Sequence, residues 1–415
     1  MKFKPTIILG RPVDQRCLPI HTIFRSLNLW IIVGYSILFL LAYQYCSHTY
    51  RRDPTSFFFS PSEGYRKLYS LQREKHAAAF IEAKNRSSDV LSSHRAPSIC
   101  LGLATVARAG EQYVRSTVGS MLEGLSADQR NDIQLVIFFA QTDPQNHPIY
   151  HERWLKNVAD QVVEYNVSEN QMALLMSLED QHQFWKKSMF DYQYLLQKCL
   201  DTDAKWVMLV EDDVLAKTGW YAQATAALNE VENQVAHSEW LYLRLFYTEK
   251  LFGWNGEEWA RYLGWSILAF LVTAMALVGA RGCSRPLKKH MSNVTISLIC
   301  CLCLPATIIL YFMAGRVSMQ PRPLGLQRME DFGCCAQGLI FPREIVPRAM
   351  EVLQHATDQR YYVDMTLERW GNAQHLARFA LVPPLLQHIG SHSSKGQDFD
   401  EGAHSIWSYE FENYT

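Results

Sequence analysis

The sequence predicts an α/β domain with a parallel or mixed sheet, interrupted by a transmembrane helical hairpin and preceded by an N-terminal transmembrane helix. Three observations predict it. From Ser98 onward, apolar β-branched segments alternate with amphipathic helical ones, which implies crossover connections. Uncharged apolar runs at Leu27 to Tyr45, Tyr262 to Ala280 and Ile296 to Gly315 each approach the length of about 20 residues that spans a bilayer. Finally, the apolar stretch WVMLVEDDVL (Trp206 to Leu215) ends abruptly in Glu211, Asp212 and Asp213.

The first apolar run follows Lys2, Lys4, Arg11, Arg16 and Arg25 against one acid, Asp14, so the positive-inside rule places the N-terminus in the cytosol. The run is too long for a signal-peptide core, starts late and has no small-x-small site before Tyr50. It therefore reads as an uncleaved anchor. The other two runs flank RGCSRPLKKHMSN, which carries Arg281, Arg285, Lys288 and Lys289 and no acid. A short basic loop belongs in the cytosol, so the pair forms a hairpin with Trp254, Trp259, Tyr262 and Trp265 as an interfacial belt. Pro305 is tolerated in such a helix when neighbours satisfy the freed carbonyl.

The expected layout is a cytosolic tail over 1–26, a span over 27–47, a lumenal stem over 48–96 and a first domain part over 97–258. A second span over 259–280, a cytosolic loop over 281–295, a third span over 296–315 and a second domain part over 316–415 follow. The sequons at Asn85, Asn166 and Asn413 fall on the lumenal side, whereas Asn293 falls in the cytosolic loop. Net charge is −1, so no basic surplus points to nucleic acid. Ten cysteines are too few for a disulfide scaffold in 415 residues.

In chain order, SFFFSP (Ser56 to Pro61) breaks regular structure and Tyr65 to Ala83 has helical spacing. Ser98 to Val106 reads as a strand, Glu111 to Leu122 as a helix and Asp132 to Ala140 as a strand. Tyr150 to Ala159 (helix), Gln161 to Tyr165 (strand) and Ser188 to Leu200 (helix) follow. The five apolar residues at Trp206 to Val210 read as a strand buried on both faces. Trp220 to Val235 is a helix and Trp240 to Tyr247 a strand. After the hairpin, Asp331 to Phe341 reads as loop and strand, Ile345 to Gln354 as a helix, Val363 to Trp370 as a helix and Leu376 to Val382 as a strand. The hairpin thus interrupts one domain; two lumenal domains are the alternative.

Open α/β sheets bind ligands at the carboxyl ends of their strands. Three adjacent carboxylates there are costly unless a positive charge joins them. A divalent cation carrying a phosphorylated ligand meets that need, because hard cations combine one or two carboxylates with phosphate oxygens. There is no GxxxxGK[ST], no GxGxxG after a strand, no HExxH and no GxSxG. An acidic strand end in a lumenal α/β domain suggests sugar transfer from a nucleotide sugar.

At these residues the chain resembles known enzymes. EDD after an apolar strand resembles the acidic signature of GT-A glycosyltransferases, whose sheet is Rossmann-like. LGLATVARAGEQYVRSTVGSML, YYVDMTLERW and LVPPLLQHIGSHSS resemble segments of the β-N-acetylglucosaminyltransferase IV type. The three-span layout with its inserted hairpin resembles the Golgi post-GPI-attachment N-acetylgalactosaminyltransferase family, from about residue 27 to residue 394. That resemblance implies a UDP-GalNAc donor, Mn²⁺, and inverting β transfer to the first mannose of the glycan on GPI-anchored proteins. An N-glycan GlcNAc transferase and a non-catalytic glycan-binding scaffold are the alternatives.

Asp213 is the first expected metal ligand, with Glu211 and Asp212 contacting metal or donor. Val106 and Arg108 match the strand-end loop where GT-A enzymes hold uridine. Inversion needs one general base; Asp364 is the first choice, Glu368 the reserve on the same helical face, and Asp331 a third option. His388 and His392 are in reach of metal or diphosphate by resemblance. Cys334 and Cys335 allow a strained vicinal disulfide or pairing to distant cysteines. Cys300, Cys301 and Cys303 read as small packing residues.

Overall fold

The computed structural model describes residues 27–87, 97–108, 110–235, 239–329, 333–356, 361–391 and 406–413. The chain divides into two units: Met1–Tyr50 with Trp254–Ala314, and Arg51–Gly253 with Gly315–Thr415.

Among the described residues, the first unit holds three helices long and apolar enough to cross a membrane. Leu27–Thr49 and Trp259–Cys283 bury none of their residues, as suits side chains whose solvent is lipid. The third, Asn293–Met313, passes through a π turn at Ile299–Cys303 just before Pro305. Tyr35 Oη donates to the Cys303 carbonyl at 2.6 Å and Thr295 Oγ1 to Asn28 Oδ1 at 2.7 Å. Polar groups in lipid are costly unless paired, so these bonds tie the first helix to the third.

In the second unit one sheet runs β3-β2-β1-β4-β8-β6-β9-β7. The strands are β1 (Ile99–Thr105), β2 (Ile133–Phe139), β3 (Gln161–Val163), β4 (Trp206–Glu211), β6 (Trp240–Arg244), β7 (Gly325–Arg328), β8 (Gly338–Pro342) and β9 (Ala377–Val382). β1, β2, β3 and β4 pair in parallel. β8 pairs antiparallel with β4, from Trp206↔Pro342 to Val210↔Gly338, and with β6. β6 runs parallel to β9. A second, two-stranded sheet pairs β5 (Val214–Ala216) with β10 (Leu386–His388). β8, β9 and β10 follow the membrane segments in sequence, so strands from both sides of the insertion are interleaved.

The five apolar residues of β4 face two cores. Met208 and Val210 pack with Leu101, Leu103 and Trp220; Val207 and Leu209 pack with Met189, Leu196 and Phe341. Each such side chain contributes about 1.5–3 kcal/mol on burial. Cys100 of β1 is joined to Cys199 of the helix Phe184–Leu200.

The helix Tyr69–Arg86, read from the sequence as stem, packs onto this unit. Arg73, 1% exposed, donates to the Ala216 and Ser120 carbonyls at 2.9 Å and pairs with Glu123 at 2.5 Å. Gly119 lets it close in, since a Cβ there would lie 2.6 Å from the Ala77 carbonyl oxygen. The sequence reading omitted the helix Glu169–Asp180 and the short edge strand β7.

Candidate functional site

A cavity of about 670 Å³ opens at the carboxyl end of β4. It is lined by Val106, Arg108, Glu211, Asp212 and Asp213 from before the membrane hairpin and by Cys334, Cys335, Gln337, Asp364 and Gly390 from after it.

The three acids behave differently. Asp212 points inward. Arg108 grips it with both guanidinium ends, Nη1 to Oδ2 at 2.7 Å and Nη2 to Oδ1 at 2.6 Å, and Thr105 Oγ1 donates at 2.6 Å. Thr117 Oγ1 donates to the Asp212 carbonyl at 2.6 Å. Burial opposes the charge on Arg108, but Asp212 and Asp213 hold it charged. Such a bidentate pair fixes a plane as well as a charge, and the guanidinium lies 5.2 Å from the centre of the Tyr113 ring.

Asp213 faces the second half of the chain. Its backbone carbonyl accepts from Ile389 N at 2.9 Å, and its Oδ2 lies 3.5 Å from His388 Nε2 and 3.3 Å from Arg108 Nη2. The β5–β10 pairing sets this contact, with His388 opposite Val214. His388 Nδ1 lies 3.1 Å from the Ile406 carbonyl and Nε2 faces the Asp213 carboxylate; both partners can only accept, so the doubly protonated, charged ring satisfies both. Burial opposes ionisation of Asp213, yet the His388 charge and hydrogen bond, with Arg108, hold its carboxyl down at about 2. Burial likewise opposes charging of His388, and Asp213 outweighs it in the other direction. Asp213 Oδ1 is buried with no hydrogen-bond partner.

Glu211 opens onto the cavity and keeps solvent contact, but the surrounding walls are dense protein. The protein packed around it first, and the Asp213 charge second, push its carboxyl up, an effect that solvent in the cavity screens.

Across the cavity, Asp364 sits in the first turn of the helix Val363–Ala373, where its Oδ1 accepts from Met365 N at 2.8 Å. Carboxylates suit a helix N-terminus electrostatically. Glu368, one turn on, does not line the cavity. It is buried between Arg244 Nη2 at 2.6 Å and Arg378 Nη1, and accepts from Tyr242 Oη. Arg244 also donates to the Cys335 carbonyl, so this buried cluster supports the wall that Cys334 and Cys335 present to the cavity. Asp331 and His392 lie outside the described residues.

Cys334 and Cys335 are joined to each other, the vicinal option among those open from the sequence. Among the described residues, they and Asp364 form the one group of three His, Cys, Asp or Glu ligand atoms lying within 4.8 Å of one another. Sulfurs bonded to each other are not thiolates, and thiolate is the form that binds metal, so this group is a wall and not a cation site.

Sequence reasoning missed Tyr192 and Gln337. Both line the cavity, and Tyr192 Oη and Gln337 Oε1 are buried without partners. Native proteins rarely leave such atoms unpaired, so each has bonding capacity directed at the cavity that water or a ligand can fill. A tyrosine on an amphipathic helix carries no sequence signal that separates it from core.

Acids at a central strand end and an opposing carboxylate thus share one cavity large enough for a small ligand, at the sheet edge where open α/β folds bind ligands. A family model described as GPI-N-acetylgalactosamine transferase PGAP4 matches residues 99–387, a range that contains Arg108, the acidic turn, Asp364 and the membrane hairpin. The chain is a glycosyltransferase of the GPI-N-acetylgalactosamine transferase PGAP4 family.

Proposed function

We propose that this protein transfers GalNAc from UDP-GalNAc, with inversion to a β linkage, to the first mannose of the glycan on GPI-anchored proteins in the Golgi lumen. The observation that carries the reading is the single cavity that brings the acidic turn Glu211–Asp213 face to face with Asp364. The basic tail and the basic loop 281–295 support a cytosolic N-terminus and a lumenal catalytic unit.

Val106 and Arg108 stand at the end of the first strand, where the uridine half of the donor would lie. The Arg108–Asp212 pair holds that loop against the acidic turn. Asp213 and Glu211, with His388 beside them, face the donor diphosphate. A divalent cation fits this edge: Asp213 Oδ1 is an oxygen without a hydrogen-bond partner, and the Glu211 carboxyl beside it is one whose charge its surroundings disfavour. When bound, Mn²⁺ or a similar ion would neutralise the diphosphate and act as a Lewis acid toward departing UDP. Asp364 takes the proton from the acceptor hydroxyl as that oxygen bonds to the sugar C1 and the bond from C1 to UDP breaks. Glu368, already held by two guanidiniums, supports the site from behind.

The test has two parts. Removal of the protein from cells followed by mass analysis of released GPI glycans should show loss of one HexNAc branch; an unchanged glycan overturns the reading. Purified full-length enzyme should turn over UDP-GalNAc and not UDP-GlcNAc, and Asp364→Asn should lower kcat about 10²–10⁴-fold with donor binding retained. Wild-type kcat in that variant would remove Asp364 from the role.

A further inference from the structure

Three short segments of the catalytic unit adjoin the membrane helices in sequence. Arg51–Ser60 follows the first span, Glu249–Gly253 precedes the second and Gly315–Leu324 follows the third. The fold knits them together. Asp53, 2% exposed, accepts at Oδ2 from both Ser318 N at 2.9 Å and Ser318 Oγ at 2.5 Å. Val317 N donates to Thr55 Oγ1 at 3.3 Å. Arg316 Nη1 donates to the Gly253 carbonyl at 3.3 Å, and the Arg322 guanidinium lies 3.7 Å from the centre of the Phe252 ring. Gly315, at φ +98°, leaves room for this joint, because a Cβ there would meet Asp53 Oδ2 at 2.6 Å. The three connections to the membrane helices therefore form one bonded collar.

The collar has two kinds of surface. Phe57 is 72% exposed, Leu251 58% and Leu324 80%. The same segments carry Arg51, Lys250, Arg316 and Arg322, all exposed or half-buried. The two acids in these segments, Asp53 and Glu249, are withdrawn into the interior. Large apolar side chains accompanied by cations, with the acids hidden, match the boundary between acyl chains and lipid phosphates. Chain connectivity makes the match specific. Phe57 is seven residues beyond Tyr50, within about 25 Å of fully extended chain from the end of the first helix unit, and Leu251 and Leu324 are similarly close in sequence to the second and third spans.

The geometry points to a membrane-seating surface on the catalytic unit itself, with Phe57, Leu251 and Leu324 entering the lipid headgroup region and the arginines and lysine of the same segments meeting lipid phosphates. This rests on the helices crossing a bilayer and not on the enzymatic reading. The three spans tether the unit; the collar orients it.

The test places a photo-crosslinking benzophenone side chain at position 57, 251 or 324 of the full-length chain, reconstituted in phosphatidylcholine–phosphatidylserine vesicles whose acyl tails carry an alkyne. A fourth sample carries it at Glu230, exposed on the helix Trp220–Val235. Lipid adducts at 57, 251 and 324 are expected at roughly five times the Glu230 yield or more, as for side chains resident in the interface. Adducts at all three positions no more abundant than at 230 overturn the inference. The readout needs no turnover, so it stands or falls independently of donor, acceptor or metal.

Discussion

Gly390→Ala isolates the site from the fold. A Cβ on Gly390 would lie 2.4 Å from Asp213 Oδ2 and 3.0 Å from His388 Nε2. Ordinary carbon–oxygen contact needs roughly 3.4 Å, so the carboxylate must retreat by about 1 Å. The obstructing atoms are the Asp213 carboxyl, Oδ2 and Cγ, and His388 Nε2, so the backbone can stay and the stability cost is that of loosening one contact, about 1–2 kcal/mol. The same 1 Å falls on the groups proposed above to face the donor diphosphate, where a displacement of that size costs about 10²-fold in rate. Steady-state GalNAc transfer by the purified full-length enzyme, beside thermal unfolding in the same detergent, measures both. The expected result is kcat/KM down about 100-fold with Tm within a few degrees of wild type. A variant with kcat/KM within twofold of wild type would refute the reasoning, because the Asp213–His388 contact would then be dispensable.

Two further perturbations act away from that contact. Glu368→Gln leaves Arg244 and Arg378 buried without their shared carboxylate, and should destabilise the catalytic unit by about 3 kcal/mol or more, read by chemical denaturation; wild-type stability with abolished turnover would instead place Glu368 in catalysis. Glu249 is buried, and that burial first and Glu410 second push its carboxyl up to about 8 despite the hydrogen bond from Ser408. A raised carboxyl favours the folded state while protonated, so its contribution is complete below about pH 4.5 and is lost as pH rises toward 8. Stability should therefore fall across that window, by at most about 1.4 kcal/mol per pH unit from this group, and Glu249→Gln should reduce the slope; an unchanged slope would mean that Glu249 is ionised in the fold.

Much of this was readable from residue order. β4 announced itself because a strand buried on both faces has no polar residue to interrupt it, and its acids stood out because charge follows apolar residues without a turn. The membrane helices were legible for the same reason: lipid imposes one long, uncharged run. The division of labour within EDD was not legible. Nothing in three adjacent acids says that Asp212 turns inward to Arg108 while Asp213 turns outward to His388; that follows from the register of β5 with β10, which pairs residues from distant parts of the chain. Glu368 shows the same limit. Its spacing from Asp364 puts both on neighbouring turns, but only the packing of Arg244 and Arg378 shows that it serves the interior.

The register between β4 and β8 also constrains how the chain is made. Trp206 and Pro342 are neighbours in one sheet, so they must end on the same side of any bilayer, and the intervening segments must cross it an even number of times. A chain in which only one of the two helices inserted would strand β8 and the acidic turn's partner His388 in the opposite compartment. β4 would keep an open edge, which invites pairing with other chains. Insertion of the hairpin is thus a parity check on folding, passed before the last strands can join, and a mutation that weakens either helix is expected to act first on the yield of folded protein.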